Sequence, residues 1–365
     1  MKIALVHDYF KEIGGAERVL MALQEMFPEA PVYTAYAFPK FWGEFKINNV
    51  IESWGKYLPF LPKFISYYTI LSPLFFMSFD LSEYDLVIVS QTGGYFPNGV
   101  KIGPKTKLVT YCHTPPRFLY GYETATKERN KWYWRPISAI ANHILLMVDF
   151  AFAQRPHLFI ANSKNVAERI SKFYRRESVV IYPPIEIPNL KSQIPINRKD
   201  YYLIVSRIIG TKNIDVAVAA ANKYGFKLKV AGRPINKAGE EIAARIKGKT
   251  VEYLGEVSDQ ERTRLFSEAK GFLALETDAD FGMSTIEPMA FGMPVIAFRG
   301  GGYLETVVEN KNGVFFDELT PETLQKAVDK FERIKWDRKY IINSVKKFSK
   351  ENFVKKIKEV VTNII

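Results

Sequence analysis

The sequence predicts an α/β protein built as two open, doubly wound units with mostly parallel sheets. Three observations carry that prediction. Short apolar runs of four to six residues alternate with segments whose apolar residues recur at three- and four-residue steps. That is the pattern of buried parallel strands covered by helices. A stretch at 183–200 breaks the alternation with four prolines and little periodicity, as a linker does. Beyond it the alternation starts again. A length of 365 residues suits two domains, and 47% hydrophobic with 25% charged residues is globular composition.

The first apolar run, 3–7 (IALVH), leads through a glycine pair, Gly14-Gly15, into a helical pattern. There Ala16, Val19, Leu20, Leu23 and Phe27 share one face, giving strand, glycine turn and helix. Further strands are expected at 85–90 (DLVIVS), 107–112 (KLVTYC), 158–161 (LFIA) and 179–182 (VVIY). Ser163 is placed to cap a helix running to about Tyr174. After the linker, strands are expected at 202–206, 227–231, 250–254, 272–275 and 294–297. Helices at 213–223, 238–247, 259–269 and 284–292 separate them. Residues 321–363 read as helical, and 341–365 carry six Lys against two Glu.

Composition narrows the partners. The chain has 51 Lys+Arg against 39 Asp+Glu, a net charge of +12. Such a charge favours an anionic partner: nucleic acid, membrane surface, nucleotide or phosphorylated substrate. One cysteine, Cys112, excludes an internal disulfide and a Cys-based zinc site, and a reducing, cytosolic compartment fits. The start, MKIALVHDY, lacks the long apolar core of a signal peptide. The longest uncharged stretch, Phe64 to Phe79, is sixteen residues broken by Pro73. A bilayer crossing needs ~20 residues. A soluble chain, or one that sits on a membrane without crossing it, is therefore expected.

Open parallel sheets bind ligands at the carboxyl ends of their strands, and two facing sheets would bind in the cleft between them. Candidate chemistry follows the strands. Gly14-Gly15 lets the backbone approach a ligand at a helix N-terminus, or is only a turn. His113 leaves the strand LVTYC at its carboxyl end, where a histidine donates a hydrogen bond or a proton, or is satisfied by backbone in a proline turn. Arg207 and Lys212 flank one strand-to-helix junction, a plausible diphosphate clamp or two solvated charges.

The densest stretch is 277–306, TDADFGMSTIEPMAFGMPVIAFRGGGYLET. Phe281-Gly282 stands before a helix expected from about Ser284, so the N–H groups of Met283, Ser284 and Thr285 would form a phosphate cradle. Glu287 lies one turn in, where it could accept both hydroxyls of a ribose or merely complement the helix dipole. Pro288 is expected in the first turn, where proline is tolerated. Asp278-Ala279-Asp280 is also readable as an Asp-x-Asp magnesium or manganese site, although the cations above would already neutralise a diphosphate.

These residues resemble a known family: the retaining glycosyltransferases of family 4, with the GT-B fold. Within it the chain is most similar to mannosyltransferases that build surface polysaccharides and lipid-linked oligosaccharides. The resemblance runs in order through GGAERV (14–19), YCHTPPR (111–117), FIANSKNVAERI (159–170), VVIYPPIE (179–186), LIVSRIIGTKN (203–213) and LGEVSD (254–259). It continues through DFGMSTIEPMAFGMPVIAFRGGGYLET (280–306) and NGVFF (312–316).

The resemblance implies a fold and roles. Two Rossmann-like domains would span 1–185 and 186–346, with a C-terminal helix at about 347–365 crossing back to the first. Gly14 and Gly15 would sit over the sugar diphosphate. His113 would reach the transferred sugar or the acceptor hydroxyl. Arg207 and Lys212 would hold the diphosphate as leaving group. Asp280, Phe281, Gly282, Met283, Ser284 and Thr285 would lie along sugar and phosphate, Glu287 would bind the ribose, and Val257 in the loop from Gly255 would border the base. The implied donor is a nucleotide diphosphate sugar, with GDP-mannose favoured, and the implied chemistry needs no metal or other cofactor.

One position departs from the family. Its first motif glutamate stands eight residues before Glu287, which here is Ala279, with Asp278 and Asp280 beside it. That opens a second reading, a non-catalytic nucleotide-sugar-binding or scaffold subunit. The acceptor side would be the first domain, where 54–79 is aromatic and apolar with Lys56 and Lys63. This segment would touch the inner face of a membrane near a lipid-linked acceptor, or would simply cover the sheet. Nucleic acid is not expected, because the aromatics lie in apolar runs rather than among Arg and Lys. A dinucleotide oxidoreductase is disfavoured by the absence of GxGxxG.

Overall fold

A computed structural model describes residues 1–11, 14–38, 47–65, 67–124, 135–185 and 197–364, apart from the side chains at 62–63 and 135–137. The Lys63 side chain and most of the expected linker thus lie outside the described residues. The chain divides into two units, Met1–Pro184 with Lys350–Ile365, and Ile185–Ser349.

The first unit begins β1 (Ile3–His7), α1 (Gly15–Met26), β2 (Val32–Thr34) and β3 (Val50–Glu52). Short helices α2 (Leu61–Phe64) and α3 (Ser72–Met77) precede β4 (Leu86–Gln91) and β5 (Lys107–Cys112). Then come α4 (Arg135–Ala153), β6 (Leu158–Ala161), α5 (Lys164–Tyr174) and β7 (Ser178–Val180). Its seven strands pair in parallel in the order β3-β2-β1-β4-β5-β6-β7. Ser163 caps α5 as its residue type predicts, accepting from the Val166 N–H at 3.0 Å.

Alternation along these strands builds two layers of core. Leu5, Ile88, Val109, Tyr111 and Ile160 join one cluster with Val19, Leu20 and Leu23 of α1. Their neighbours Ala4, Val6, Val87, Val89 and Leu108 join another on the opposite face. Leu61, Ile65, Phe75, Phe76 and Phe79 cover that second face. The expected apolar segment therefore does cover the sheet, while its other side leaves Tyr57, Phe60, Ile70 and Leu74 exposed.

The second unit runs β8 (Lys199–Val205), α6 (Ile214–Tyr224), β9 (Leu228–Ala231), α7 (Lys237–Ala243), β10 (Val251–Gly255) and α8 (Asp259–Glu268). It continues β11 (Ala269–Ala274), α9 (Met283–Ala290), β12 (Val295–Phe298), α10 (Tyr303–Thr306), β13 (Gly313–Phe316), α11 (Pro321–Glu332) and α12 (Arg338–Val345). Six parallel strands lie in the order β10-β9-β8-β11-β12-β13. Ile204, Val230, Leu273, Ile296 and Val314 pack with α6 and with Leu324, Val328 and Phe331 of α11.

The last helix, α13 (Lys350–Ile364), belongs to the first unit. Phe353, Ile357 and Val361 recur every four residues, so one stripe enters the α1 face of that unit's core. Residues 346–348 form a 3-10 turn at the end of the second unit rather than the start of this helix.

Candidate active site

Each sheet has a point where successive strands leave to opposite sides. In the second unit it lies at β8, flanked by β9 and β11. Arg207 leaves β8 exposed, and Lys212 ends a 3-10 turn, Gly210–Lys212, just before α6. Asn213 adopts φ +50° and donates to the Leu275 carbonyl at 2.9 Å, fastening this turn to the exit of β11. The fastening brings Lys212 Nζ to 2.5 Å from Glu276 Oε2. Lys212 is therefore not a solvated cation but half of an ion pair, with a partner not expected from the sequence.

The stretch 277–306 folds back on itself. Gly302 N–H donates to the Ala279 carbonyl at 2.7 Å, and a Cβ at Gly302 would stand 2.4 Å from Phe281 Cα. Only glycine allows that approach. Gly282 begins α9 with φ +89°, and a Cβ there would meet the Tyr303 ring at 2.6 Å. Tyr303 is buried, and burial pushes its phenol far above the usual range.

Three expectations for this stretch change. Thr285 N–H donates to the Gly282 carbonyl at 3.0 Å, and its hydroxyl bonds the same carbonyl at 2.8 Å and Thr306 at 3.1 Å. The cradle expected of three N–H groups is thus reduced to Met283 and Ser284. Pro288 is the sixth residue of α9, not in its first turn, and the helix ends two residues later. Phe281 turns its ring inward against Phe348, with centroids 5.3 Å apart, so only its backbone remains for a ligand.

Glu287 is the fifth residue of α9 and half-buried, and Asp280 is half-buried beside the turn. Val257 follows β10, which is separated from β8 by β9. Those three strand exits are tied in a row: Ser206 N–H donates to Ala231 at 3.0 Å and Gly232 N–H to Gly255 at 2.7 Å. Gly255, two residues before Val257, is therefore about 10 Å from the β8 exit at the usual strand spacing.

In the first unit the corresponding point is β1, flanked by β2 and β4. Gly14 caps α1, and its N–H donates to Glu17 Oε2 at 2.8 Å, with Gly15 the first helical residue. His113 follows β5, continues the ladder by donating its N–H to Gln91 at 2.9 Å, and is 9% exposed. Its carbonyl accepts from Asn162 Nδ2 at 2.9 Å and its ring Nε2 lies 3.0 Å from Ser90 Oγ. The backbone of His113 is held as a proline turn would hold it, and its ring is tied separately. Next to it, Asp8 collects Thr92, Gly94 and Tyr95 N–H groups and the Thr92 hydroxyl, at 2.6 to 3.1 Å, which shapes the β4 exit. Asp8, His7, Ser90 and Glu17 are not among the residues expected from the sequence.

The sequence model of glycosyltransferase family 4 matches residues 13–187, and that of the group 1 glycosyl transferases matches residues 186–348. The chain belongs to the family 4 glycosyltransferases. It is similar to the alpha-1,3/1,6-mannosyltransferase ALG2 of Kluyveromyces lactis, 25% identical over 91% of this chain and 78% of that one. The Mus musculus ALG2 is 23% identical over 87% of this chain and 85% of its own. Among solved structures, Anabaena Alr3699/HepE in complex with UDP aligns over 100% of both chains, with a TM-score of 0.72 at 18% identity. That likeness shows the fold, GT-B. This family 4 glycosyltransferase thus carries the two Rossmann-like units that its sequence predicts.

Proposed function

We propose that this glycosyltransferase moves a mannosyl residue from GDP-mannose to a hydroxyl of a lipid-linked or polysaccharide acceptor, with retention of configuration and without a metal ion. The placement of Lys212 and Arg207 with the α9 N-terminus around the β8 and β11 exits carries the diphosphate reading. The likeness to two ALG2 mannosyltransferases over most of the chain supports mannose. As the bond from the sugar carbon to the phosphate oxygen breaks, its electron pair goes to the diphosphate. Lys212, Arg207 and the Met283 and Ser284 N–H groups stabilise that charge. The acceptor hydroxyl attacks from the leaving-group face, and its proton passes to the departing phosphate oxygen. Glu287 holds the ribose, and His113 meets a sugar or acceptor hydroxyl.

Position 279 favours a second reading. Ala279 is buried with its carbonyl bonded to Gly302, and it supplies no carboxylate where the family has its first glutamate. A non-catalytic nucleotide-sugar-binding or scaffold subunit follows from that. Labelled GDP-mannose and UDP-glucose, each offered with a lipid-linked glycan acceptor, separate the readings. Transfer from GDP-mannose, lost about 100-fold in His113→Ala, is expected. Transfer from UDP-glucose alone would sink mannose, and donor binding without transfer would sink the enzyme. The exposed apolar side of 54–79 supports peripheral contact with the inner face of a membrane. Among the described residues no helix is long and apolar enough to cross one.

A further inference from the structure

The buried stripe of α5 contains a charge. Val166, Ile170 and Tyr174 fill it, and Arg169 lies among them at 3% exposure. A guanidinium removed from water destabilises a fold unless its donors and its charge find partners. Arg169 finds two of them at opposite ends of one loop. Its Nη1 donates to the Thr114 hydroxyl at 3.0 Å, directly after His113, and its guanidinium lies 4.4 Å from the centre of the Tyr122 ring. A planar fork can bond in its plane and stack on a ring through its face, which a lysine ammonium cannot do. One turn further along α5, Phe173 stacks on Tyr120 with centroids 4.2 Å apart and meets Tyr122 edge-on at 5.9 Å. Just before the helix, Asn162 Nδ2 donates to the His113 carbonyl.

The loop from His113 to Tyr122 is thus bound to α5 and its cap at both ends. Between them it closes on itself: Leu119 N–H donates to the Pro116 carbonyl at 2.9 Å and Tyr122 N–H to the Arg117 carbonyl at 3.1 Å. A loop ordered before its ligand arrives loses less conformational entropy on binding and keeps a reacting group in register. We propose that Arg169 is a positioning residue for the transfer reaction: by holding Thr114 and Tyr122 it fixes the 113–122 loop, and His113 with it, to receive the acceptor hydroxyl. The link to transfer rests on the role proposed above for His113, whereas the hold on the loop does not. If Arg169 only filled the stripe, an apolar side chain of similar length would serve as well.

Arg169→Met tests this in the full chain, because methionine keeps the stripe filled and apolar. Transfer is measured with GDP-mannose and the lipid-linked glycan acceptor, each varied in turn, and GDP binding is measured by calorimetry. Arg169→Met is expected to lower kcat/KM for the acceptor about 30-fold. Thr114→Val, which removes one of the two contacts, is expected to lower it about 10-fold. GDP affinity is expected to stay within about 2-fold of wild type, because the residues proposed for the diphosphate belong to the other unit. Amide exchange followed by mass spectrometry is expected to quicken in peptides covering 117–122 of Arg169→Met. Full acceptor kinetics in Arg169→Met, or acceptor and GDP constants that weaken together, overturns the positioning role. Unchanged exchange overturns the hold on the loop. If Arg169→Met behaves as expected while His113→Ala transfers at full rate, the role of His113 fails and the hold on the loop stands. If wild type transfers nothing from GDP-mannose, the donor reading fails; quickened exchange then still supports the hold, and unchanged exchange overturns it.

Discussion

Lys212 meets its ligand already engaged. Its ammonium stands 2.5 Å from Glu276 with both side chains mostly buried, so an incoming diphosphate competes with a carboxylate for the same cation. Replacing Glu276 by Gln leaves the site's shape and removes the competitor. Calorimetric titration with GDP is expected to show roughly 3- to 10-fold tighter binding for Glu276→Gln and weaker binding for Lys212→Ala, a change of about 1 kcal/mol. Unchanged affinity in both would remove Lys212 from the diphosphate site. The cation was legible in the sequence because it follows a strand and precedes a helix. Its partner was not, because Glu276 and Lys212 meet only through the adjacency of β8 and β11. His7 shows the opposite case: it ends a strand as His113 follows one, so the rule that singled out one histidine applied equally to the other.

At the scale of elements, α13 and α4 each carry a testable load. Phe353 of α13 is buried and sets its ring against Tyr111, with centroids 5.9 Å apart. Phe353→Ala is expected to cost the first unit about 3 kcal/mol in urea denaturation. A loss under about 0.5 kcal/mol would mean that α13 only rests on the surface. Asp149 of α4 is buried, accepting from the Tyr120 hydroxyl at 2.8 Å and the Tyr174 hydroxyl at 3.2 Å. Burial pushes its pKa from 3.8 to about 7, against the two tyrosine bonds. A folded pKa above the unfolded one stabilises at low pH and loses that contribution as pH rises from about 4 to 7. Asp149→Asn is expected to remove this slope, gaining up to about 4 kcal/mol at pH 8 relative to pH 4. Identical pH dependence of the urea midpoint in variant and wild type would refute it. The sequence shows the α13 stripe by its spacing. Nothing local marks Asp149, whose tyrosine partners lie 29 and 25 residues away along the chain.

For the whole molecule, the +12 charge and the exposed side of 54–79 raise the question of a surface to sit on. Wild-type protein is expected to float with anionic liposomes at low salt, and a variant with Ile70→Asp and Leu74→Asp to remain in the dense fraction. Both positions are exposed, so the substitutions leave the core intact. Wild type that floats at neither low nor high salt would end the membrane proposal.

The sequence by itself determined the two α/β units, most strands, the glycine turns and the place of each candidate group at a strand exit. Those properties are written in neighbours along the chain: alternation, helical spacing, a cap or a glycine. The short strands β2, β3 and β13 are not among those the sequence led one to expect. Tertiary structure alone decided the companions of the candidate groups. Strand order places β1 against β4 and β8 against β11, which sets Ser90 between His7 and His113 and gives Lys212 its carboxylate. Sheet order depends on which crossovers bury the most surface, a sum over the whole unit, and no local window of sequence contains it.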